Sequence, residues 1–210
     1  MKTLALLPFL LLSSLQGQTV ILPFASEGNT LELSVKNESP VEARSVTIEI
    51  MSIPSWITFS NGKESIPSLE GNSEKPITYT FSVDRTAPVG EEHRLVFAVS
   101  LPNGQSWRKE MVVSVAAPDK FELFQNYPNP FNAATVISYQ LSVNSKVNLN
   151  VFNLIGQNVG SVIVGEKPPG YHQETWDALS LASGVYVYQL TVTDASHNQV
   201  VARKRMTLLK

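Results

Sequence analysis

The stretch FELFQNYPNPFN, residues 121–132, decides how this chain is organised. Its prolines fix φ and lack an N–H group, so no central strand or helix can run through them. The asparagines between them can hydrogen-bond to nearby backbone, as Asx turns do, and the aromatic side chains Phe124, Tyr127 and Phe131 can anchor the segment. We therefore predict a rigid, extended entry into a second domain. A proline-rich domain boundary with no further role is the simpler interpretation.

Composition sets the broad class. The 210 residues are 43% hydrophobic and 16% charged, which is enough apolar material for two small cores. The net charge of −2 provides no basic field for a nucleic acid or an anionic membrane, so neither is an expected partner. The chain has no cysteine, which excludes disulfides, a lipoprotein anchor and a thiolate metal site. No cofactor is predicted.

Residues 1–18 have the features of a cleaved signal peptide. Lys2 supplies the positive charge, and residues 4–12 form an apolar run. That run is shorter than the roughly 18–20 residues that a transmembrane helix needs, and no other stretch could span a membrane. We expect cleavage after Gly17. A buried amino-terminal helix is the less favoured alternative, because the segment has no polar face.

Residues 19–117 predict a first β-domain, because short runs alternate between apolar and polar residues. Such runs lie at residues 31–35, 46–50, 77–83 and 111–115, and turn signals separate them. Residues 95–99, LVFAV, are continuously apolar and predict a central strand buried on both faces. About seven short strands at this spacing indicate an immunoglobulin-like antiparallel β-sandwich.

Residues 118–120 are a predicted linker, and residues 121–210 a second, smaller β-sandwich. We expect its strands at residues 135–141, 146–154, 159–164, 171–176, 185–193 and 200–208. Trp176 is interpreted as a fully buried core residue, and Asp177 as the cap of the turn that follows it. The predicted fold class is all-β, with two immunoglobulin-like antiparallel sandwiches after a signal peptide.

Several sequence blocks occur in a fixed order in this second half. They are YPNPFN at residues 127–132, VFNLIGQ at 151–157, HQETWD at 172–177, SGVYVYQL at 183–190 and KRMTLLK at 204–210. In this order they resemble the C-terminal sorting domain of type IX secretion substrates. The residues that carry the motif are Pro128, Asn129, Pro130, Phe131, Gly156, Gln157, Trp176, Gly184 and Tyr186. A related sandwich in flagellar hook-capping proteins shares the Trp-Asp and Gly-Val-Tyr blocks.

The resemblance implies a partner and a destination. The type IX secretion machinery would recognise the domain after transit through the periplasm, and the protein would be secreted or attached to the outer cell surface. The domain could be removed in or near residues 116–120. The expected recognition residues are Arg203, Lys204, Arg205, Met206, Leu208 and Lys210. We expect them on an unpaired edge strand that suits β-augmentation by a receptor, although such charges are commonly only a solvated edge.

The first half resembles the immunoglobulin-like accessory domains found beside bacterial glycosidases. Residues 53–57, 68–72 and 86–90, with the sequences IPSWI, SLEGN and TAPVG, carry this resemblance. Trp56 and Trp107 are candidate sugar contacts, because aromatic faces stack on apolar sugar faces. The alternative is that Trp56 plugs the end of the sandwich and Trp107 flanks an edge strand, since large aromatics supply much of the burial in a small core.

No catalytic or metal motif is present. His93, His172 and His197 lie in different segments without metal-ligand spacing, and no nucleophile elbow, phosphate loop or calcium loop occurs. We therefore predict a non-enzyme whose first domain is adhesive or structural, with a surface polysaccharide or protein as its candidate ligand. A carbohydrate-binding module and an accessory subunit of a surface enzyme complex are the alternatives.

Overall fold

The computed structural model describes residues 10–13 and 19–210. These described residues form β-strands and no helix, which confirms the all-β prediction. None of them therefore belongs to a helix long and apolar enough to cross a membrane. The chain divides into two compact units, Met1–Ala116 and Ala117–Lys210, each with its own hydrophobic core.

Strands of the first unit follow the alternating runs of the sequence. They are β1 (Leu10–Ser13), β2 (Val20–Leu22), β3 (Ser26–Asn37), β4 (Ala43–Ser52), β5 (Ile57–Phe59), β6 (Lys63–Leu69), β7 (Glu74–Val83), β8 (His93–Ser100) and β9 (Ser106–Val115). One sheet has the order β1-β3-β7-β5 and the other β2-β9-β8-β4-β6. Only the β2–β9 pair is parallel among these strands. Together the sheets enclose an immunoglobulin-like core.

Strand β8 corrects one expectation from the sequence. It lies in the middle of its sheet, as predicted, but its burial alternates along the strand. Leu95, Phe97 and Val99 are each 1% exposed, whereas Val96 and Ala98 are only half-buried. The prediction of burial on both faces is wrong, because the two-layer sandwich covers only one face of this sheet.

Part of the predicted signal peptide lies outside the described residues. Residues 1–9 and 14–18, including the expected cleavage position after Gly17, are not described. The described part, β1, pairs antiparallel with β3, with Leu12 opposite Val35. The signal peptide stays a prediction.

The second unit is a smaller sandwich. Its strands are β10 (Glu122–Leu123), β11 (Ala134–Leu141), β12 (Ser145–Phe152), β13 (Asn158–Lys167), β14 (Gly170–Asp177), β15 (Gly184–Asp194) and β16 (Gln199–Leu208). They form a three-stranded sheet, β10-β11-β14, and a four-stranded sheet, β13-β12-β15-β16. The six predicted strands are confirmed within a few residues at each end. The sequence did not predict the two-residue strand β10.

The core of the second unit lies between these two sheets. Val147, Leu149 and Val151 point inward from β12 and are completely buried, while Asn148 and Asn150 between them are half-buried. The predicted half-buried strand is therefore confirmed. On β15, Tyr188, Leu190 and Val192 fill the same space.

Candidate functional site

The last strand, β16, separates its charged residues from its apolar ones. Met206 and Leu208 point into the core and are 1% and 0% exposed. Arg203 and Arg205 point to the outer face and are exposed, and Lys204 is half-buried on the inner side. This division follows from the two-residue period of a strand. The expected recognition residues therefore belong to two groups, one that faces solvent and one that holds the strand in place.

Residues 125–131, which we call the strap, run along the outer edge of β16. The Phe131 N–H donates to the Thr207 carbonyl at 3.0 Å, and the Leu209 N–H donates to the Phe131 carbonyl at 2.9 Å. The Thr207 N–H donates to Asn129 Oδ1 at 2.9 Å. Gln125 Nε2 donates to the Arg205 carbonyl at 2.8 Å. The strap thus covers the edge of β16 at residues 205–209, and the prediction of an unpaired edge is wrong for this half.

A buried polar network fixes the start of the strap. Asn126, which is 2% exposed, donates from Nδ2 to the Pro128 carbonyl at 3.0 Å and to Thr135 Oγ1 at 2.9 Å. The Tyr188 hydroxyl accepts from the Asn126 N–H at 2.9 Å and donates to the Phe124 carbonyl at 2.8 Å. Buried polar groups need such partners, so one tyrosine on β15 holds both Asn126 of the strap and Phe124, the residue just before the strap. The sequence indicated a turn at Asn126 but not its partner across the unit.

Prolines and aromatic residues of the strap have different roles. The peptide bonds Tyr127-Pro128 and Asn129-Pro130 are both cis. Phe131 is 2% exposed and is the buried anchor that the sequence predicted. Tyr127 is 81% exposed and is not an anchor, because its backbone, rather than its ring, bridges to Val136 through two hydrogen bonds of 3.0 Å.

The Gly-Val-Tyr block lies on the other side of β16. Gly184 pairs with Leu208 and Tyr186 with Met206 in the antiparallel register. The Tyr186 hydroxyl donates to the Ala182 carbonyl at 2.8 Å, which braces the turn before β15. Two motif blocks that are far apart in sequence, the strap and this one, therefore flank the same strand.

Lys210 is fixed to the turn before β15. Its backbone N–H donates to Ser183 Oγ at 3.0 Å, and its Nζ donates to the Leu179 carbonyl at 2.6 Å. One hydrogen of the ammonium is thus committed to a structural contact. This placement separates Lys210 from Arg203 and Arg205, with which the sequence grouped it.

The remaining motif residues lie elsewhere in the second unit. Gly156 and Gln157 form the β12–β13 turn, where Gly156 has φ +82°, a conformation that suits glycine. Asn153 closes this turn, accepting from the Gln157 N–H through Oδ1 at 2.9 Å. Leu154 and Ile155 at its tip are 70% and 79% exposed. These residues shape the hairpin that joins β12 to β13.

Trp176 packs across the sandwich against β13. A Cβ atom placed on Gly160 would lie 2.1 Å from Trp176 Cη2, so only glycine leaves room for the indole. Trp176 is partly buried rather than fully buried as predicted, and its Nε1 is buried without a hydrogen-bond partner. Asp177 Oδ1 accepts from the Leu179 N–H at 2.8 Å, which confirms the predicted turn cap.

Trp56 and Trp107 do not form a shared platform. Trp56 is 8% exposed and packs edge-on against the His93 ring, with centroids 5.2 Å apart. Trp107 is half-buried against the core of the first unit. A ring with so little exposure cannot stack on a sugar, so Trp56 is a core residue. The prediction that Trp56 contacts a sugar is therefore wrong.

Titratable side chains serve the turns of the fold. Hydrogen bonds from Asn198 and Ser196 hold the pKa of Asp194 below its usual value. The Thr86 hydroxyl and N–H lower the pKa of Asp84 in the same way. In the part of the chain that the structure describes, no three His, Cys, Asp or Glu side chains converge as metal ligands.

An open trough of about 680 Å³ lies on the outer face of the four-stranded sheet. Amides, hydroxyls and opposite charges line it, among them Asn148, Thr191, Lys146 and Glu166. The lining includes the His197 imidazole but no Phe, Tyr or Trp side chain. The trough mixes these polar groups with apolar atoms, including those of Val164 and Ala195.

Comparison with known families gives a match within the second unit. Residues 125–204 match the family model described as "Secretion system C-terminal sorting domain". Residues 125–204, from the strap into β16, are therefore similar to a secretion sorting domain. The resemblance predicted from the sequence blocks is confirmed over these residues. No curated protein matches the chain.

Several solved structures are similar to this chain at low sequence identity. Dimeric latent PorU from Porphyromonas gingivalis is 13% identical with a TM-score of 0.37, over 97% of this chain and 20% of that one. A protein of unknown function from Porphyromonas gingivalis W83 is 16% identical with a TM-score of 0.39, over 95% of this chain and 97% of that one. The YadV chaperone is 10% identical with a TM-score of 0.35, over 94% and 99%. This chain thus spans only a fifth of the length of PorU.

Proposed function

We propose that the second unit directs this chain through the type IX secretion machinery to the cell surface. The first unit would be the delivered cargo, a non-enzymatic immunoglobulin-like domain for adhesion or spacing. The observation that carries the proposal is the family match over residues 125–204, whose first block is joined by hydrogen bonds to residues 205–209, directly after the matched range. The sequence motif therefore describes one folded object rather than a linear tag.

Recognition would use the outer surface of β16. Arg203 and Arg205 are exposed there, whereas Met206 and Leu208 are core side chains that a receptor cannot reach while the domain is folded. Charged side chains at a rim mainly steer association and select partners. We assign Arg203 and Arg205 to contact with the machinery, and Met206 and Leu208 to holding the strand.

The non-catalytic role of the cargo rests on how its side chains are used. Asp84 caps a turn, and His93 packs against Trp56 in the core. Transit through the periplasm, signal-peptide cleavage and removal of the second unit in or near residues 116–120 belong to the same proposal.

Transfer of the second unit tests the proposal. Residues 118–210 fused to an unrelated exported reporter should bring the reporter to the cell surface of a type IX-competent bacterium. The full chain without residues 121–210 should stay in the periplasm with its first unit folded. Surface delivery of the shortened chain, or failure of the fusion in cells that export the intact chain, would contradict the proposal.

Charge reversal separates recognition from folding. Arg203→Glu with Arg205→Glu should reduce surface delivery, because both side chains are exposed and the core is untouched. Lys75→Glu with Arg108→Glu is the matched control, since it makes the same change in net charge at exposed positions of the first unit. Equal export of the two double variants would remove Arg203 and Arg205 from the recognition surface. Deletion of residues 204–210 is a poorer test, since it also removes Met206 and Leu208 from the core.

A further inference from the structure

The outer edge of β16 has two halves that differ in their hydrogen bonding. At residues 205–209 the strap occupies it, as described above. In an antiparallel pair, alternate residues turn their N–H and C=O groups away from the partner strand. Thr207 is one such residue, because its N–H and C=O both bind the strap. The regular register with β15 then turns Arg203, Val201 and Gln199 outward as well.

None of the described strands lies beside these three residues on that edge. Their outward backbone groups make no hydrogen bond to any residue in the described ranges, 10–13 and 19–210. Val200 and Val201 are 50% and 44% exposed at the same place. An edge with free backbone groups and exposed apolar side chains is a template for another strand. Residues 199–203, which we call the open edge, would accommodate about five residues of an added strand, or roughly 16 Å.

The strap shows that this strand accepts a neighbour. It meets β16 through backbone and amide hydrogen bonds and forms a parallel bridge between Phe131 and Leu208. The open edge continues directly from that covered half, so a second segment could bind where the strap ends.

Charge identifies the kind of segment. Arg203, Lys204 and Arg205 are consecutive cations, and no described carboxylate lies within ion-pair distance of them. Arg203 Nε donates to Gln189 Oε1 at 2.5 Å, which holds this side chain over the outer face of the sheet rather than across the edge. Opposite charges on neighbouring strands stabilise pairing, whereas like charges oppose it. A second copy of this chain would bring six cations together, so self-pairing is disfavoured.

We propose that the open edge binds an extended segment of the secretion receptor by β-augmentation. The segment carries acidic side chains two residues apart, the last of them opposite Arg203 and within diagonal reach of Arg205, and small or apolar side chains between them. Backbone hydrogen bonds at residues 199–203 would supply affinity and the paired charges would select the partner. This inference rests on the proposed sorting function and specifies where and how the sorting domain is recognised.

Val201→Pro tests the backbone pairing. The Val201 N–H points outward, so proline removes a donor from the open edge without removing one from the ladder with β15, as is usual for proline on an edge strand. Val201→Thr is the matched control, because it also loses the valine but keeps the N–H. Both full-length variants should keep the melting temperature of the original chain. Surface delivery should fall at least about tenfold for Val201→Pro and stay near normal for Val201→Thr.

A peptide probe tests the same edge in the purified full chain. The capped peptide Thr-Glu-Val-Glu-Val-Thr should slow amide hydrogen exchange at residues 199–203, and its Lys-for-Glu counterpart should not. Val201→Pro should abolish this protection.

The outcomes distinguish the two proposals. Normal export when residues 121–210 are absent would refute the sorting function. If the deletion stops export but Val201→Pro is exported normally, the open-edge inference alone is refuted. Absence of protection by the acidic peptide would refute it as well. A dimer that Val201→Pro converts to monomer would identify a second copy as the occupant and overturn the assignment to a receptor.

Discussion

Tyr188 offers the sharpest test of how the strap is held. Its hydroxyl is completely buried with the rest of the side chain, and it bonds to Phe124 and Asn126 at once. Tyr188→Phe keeps the ring and therefore the packing. It leaves the buried Asn126 N–H unpaired and takes one donor from the Phe124 carbonyl.

The expected loss of stability follows from those two groups. A buried polar group that loses its partner costs about 1–3 kcal/mol. The free energy of unfolding of the second unit should fall by about 2–4 kcal/mol, a large share of the 5–15 kcal/mol typical of a domain. For a unit of this size the melting temperature should fall by at least about 10 °C.

Two other tyrosines calibrate the measurement. Tyr186→Phe removes a single bond, to the Ala182 carbonyl, and should cost about 1 kcal/mol. Tyr127→Phe changes a side chain that is 81% exposed and should stay within about 0.5 kcal/mol. Urea unfolding followed by hydrogen exchange in β11 and β16 reports the second unit separately from the first. If Tyr188→Phe matched Tyr127→Phe, the tyrosine would not hold the strap in solution.

The same residue predicts a dependence on alkaline pH. Burial raises the pKa of Tyr188 to about 12, above its ordinary value of 10, because the charged phenolate is disfavoured in the core. Because this pKa is raised in the folded state, the stabilisation of the fold by the neutral Tyr188 phenol is fully present below pH 10. That contribution is lost as the pH rises from 10 through 12. Unfolding of the second unit measured across this range should show a decline that Tyr188→Phe reduces, and an unchanged decline would contradict the assignment.

Two further substitutions test packing and a buried amide, one in each unit. Gly160→Ala should destabilise the second unit by about 1–3 kcal/mol because its methyl group meets Trp176, whereas Gly165→Ala on the same strand meets nothing within 4 Å. Thermal melts should show less than additive losses when Gly160→Ala is combined with Trp176→Ala, and full additivity would deny the contact. Asn37→Ala should cost the first unit about 2–4 kcal/mol, since this fully buried amide donates to the carbonyls of residues 41, 69 and 70. Asn61→Ala, in an exposed turn, should cost less than about 1 kcal/mol in the same urea titration, and equal losses would refute the role of burial.

Much of the fold was predictable because period-two alternation reports burial directly. The strand with Val147, Leu149 and Val151 was placed correctly from that pattern alone. Strand β8 shows the limit of the signal: a continuous apolar run indicates a central position but not how many layers cover it. Short strands such as β10 carry too few residues for any period to appear.

The candidate site was predictable in composition but not in arrangement. The blocks around Phe131, Gly184 and Arg205 were identified in sequence, yet their meeting around one strand depends on long-range pairing. No local pattern connects Tyr188 to Asn126, because the hydrogen bond spans 62 positions of sequence. Trp176 was assigned to a full core since tryptophan usually buries deeply, but an edge position between two sheets leaves part of it exposed.

Joining of the strap to β16 has a consequence for biosynthesis. The strap is synthesised some seventy residues before β16. Its hydrogen-bond partners on β16 are therefore absent while the intervening strands are made. A messenger RNA truncated within that interval yields a protein with a complete first unit and a second unit that lacks β16. If the secretion machinery recognises only the second unit with the strap bonded to β16, it would not export such fragments. The cell surface would then receive only chains that had been translated through β16.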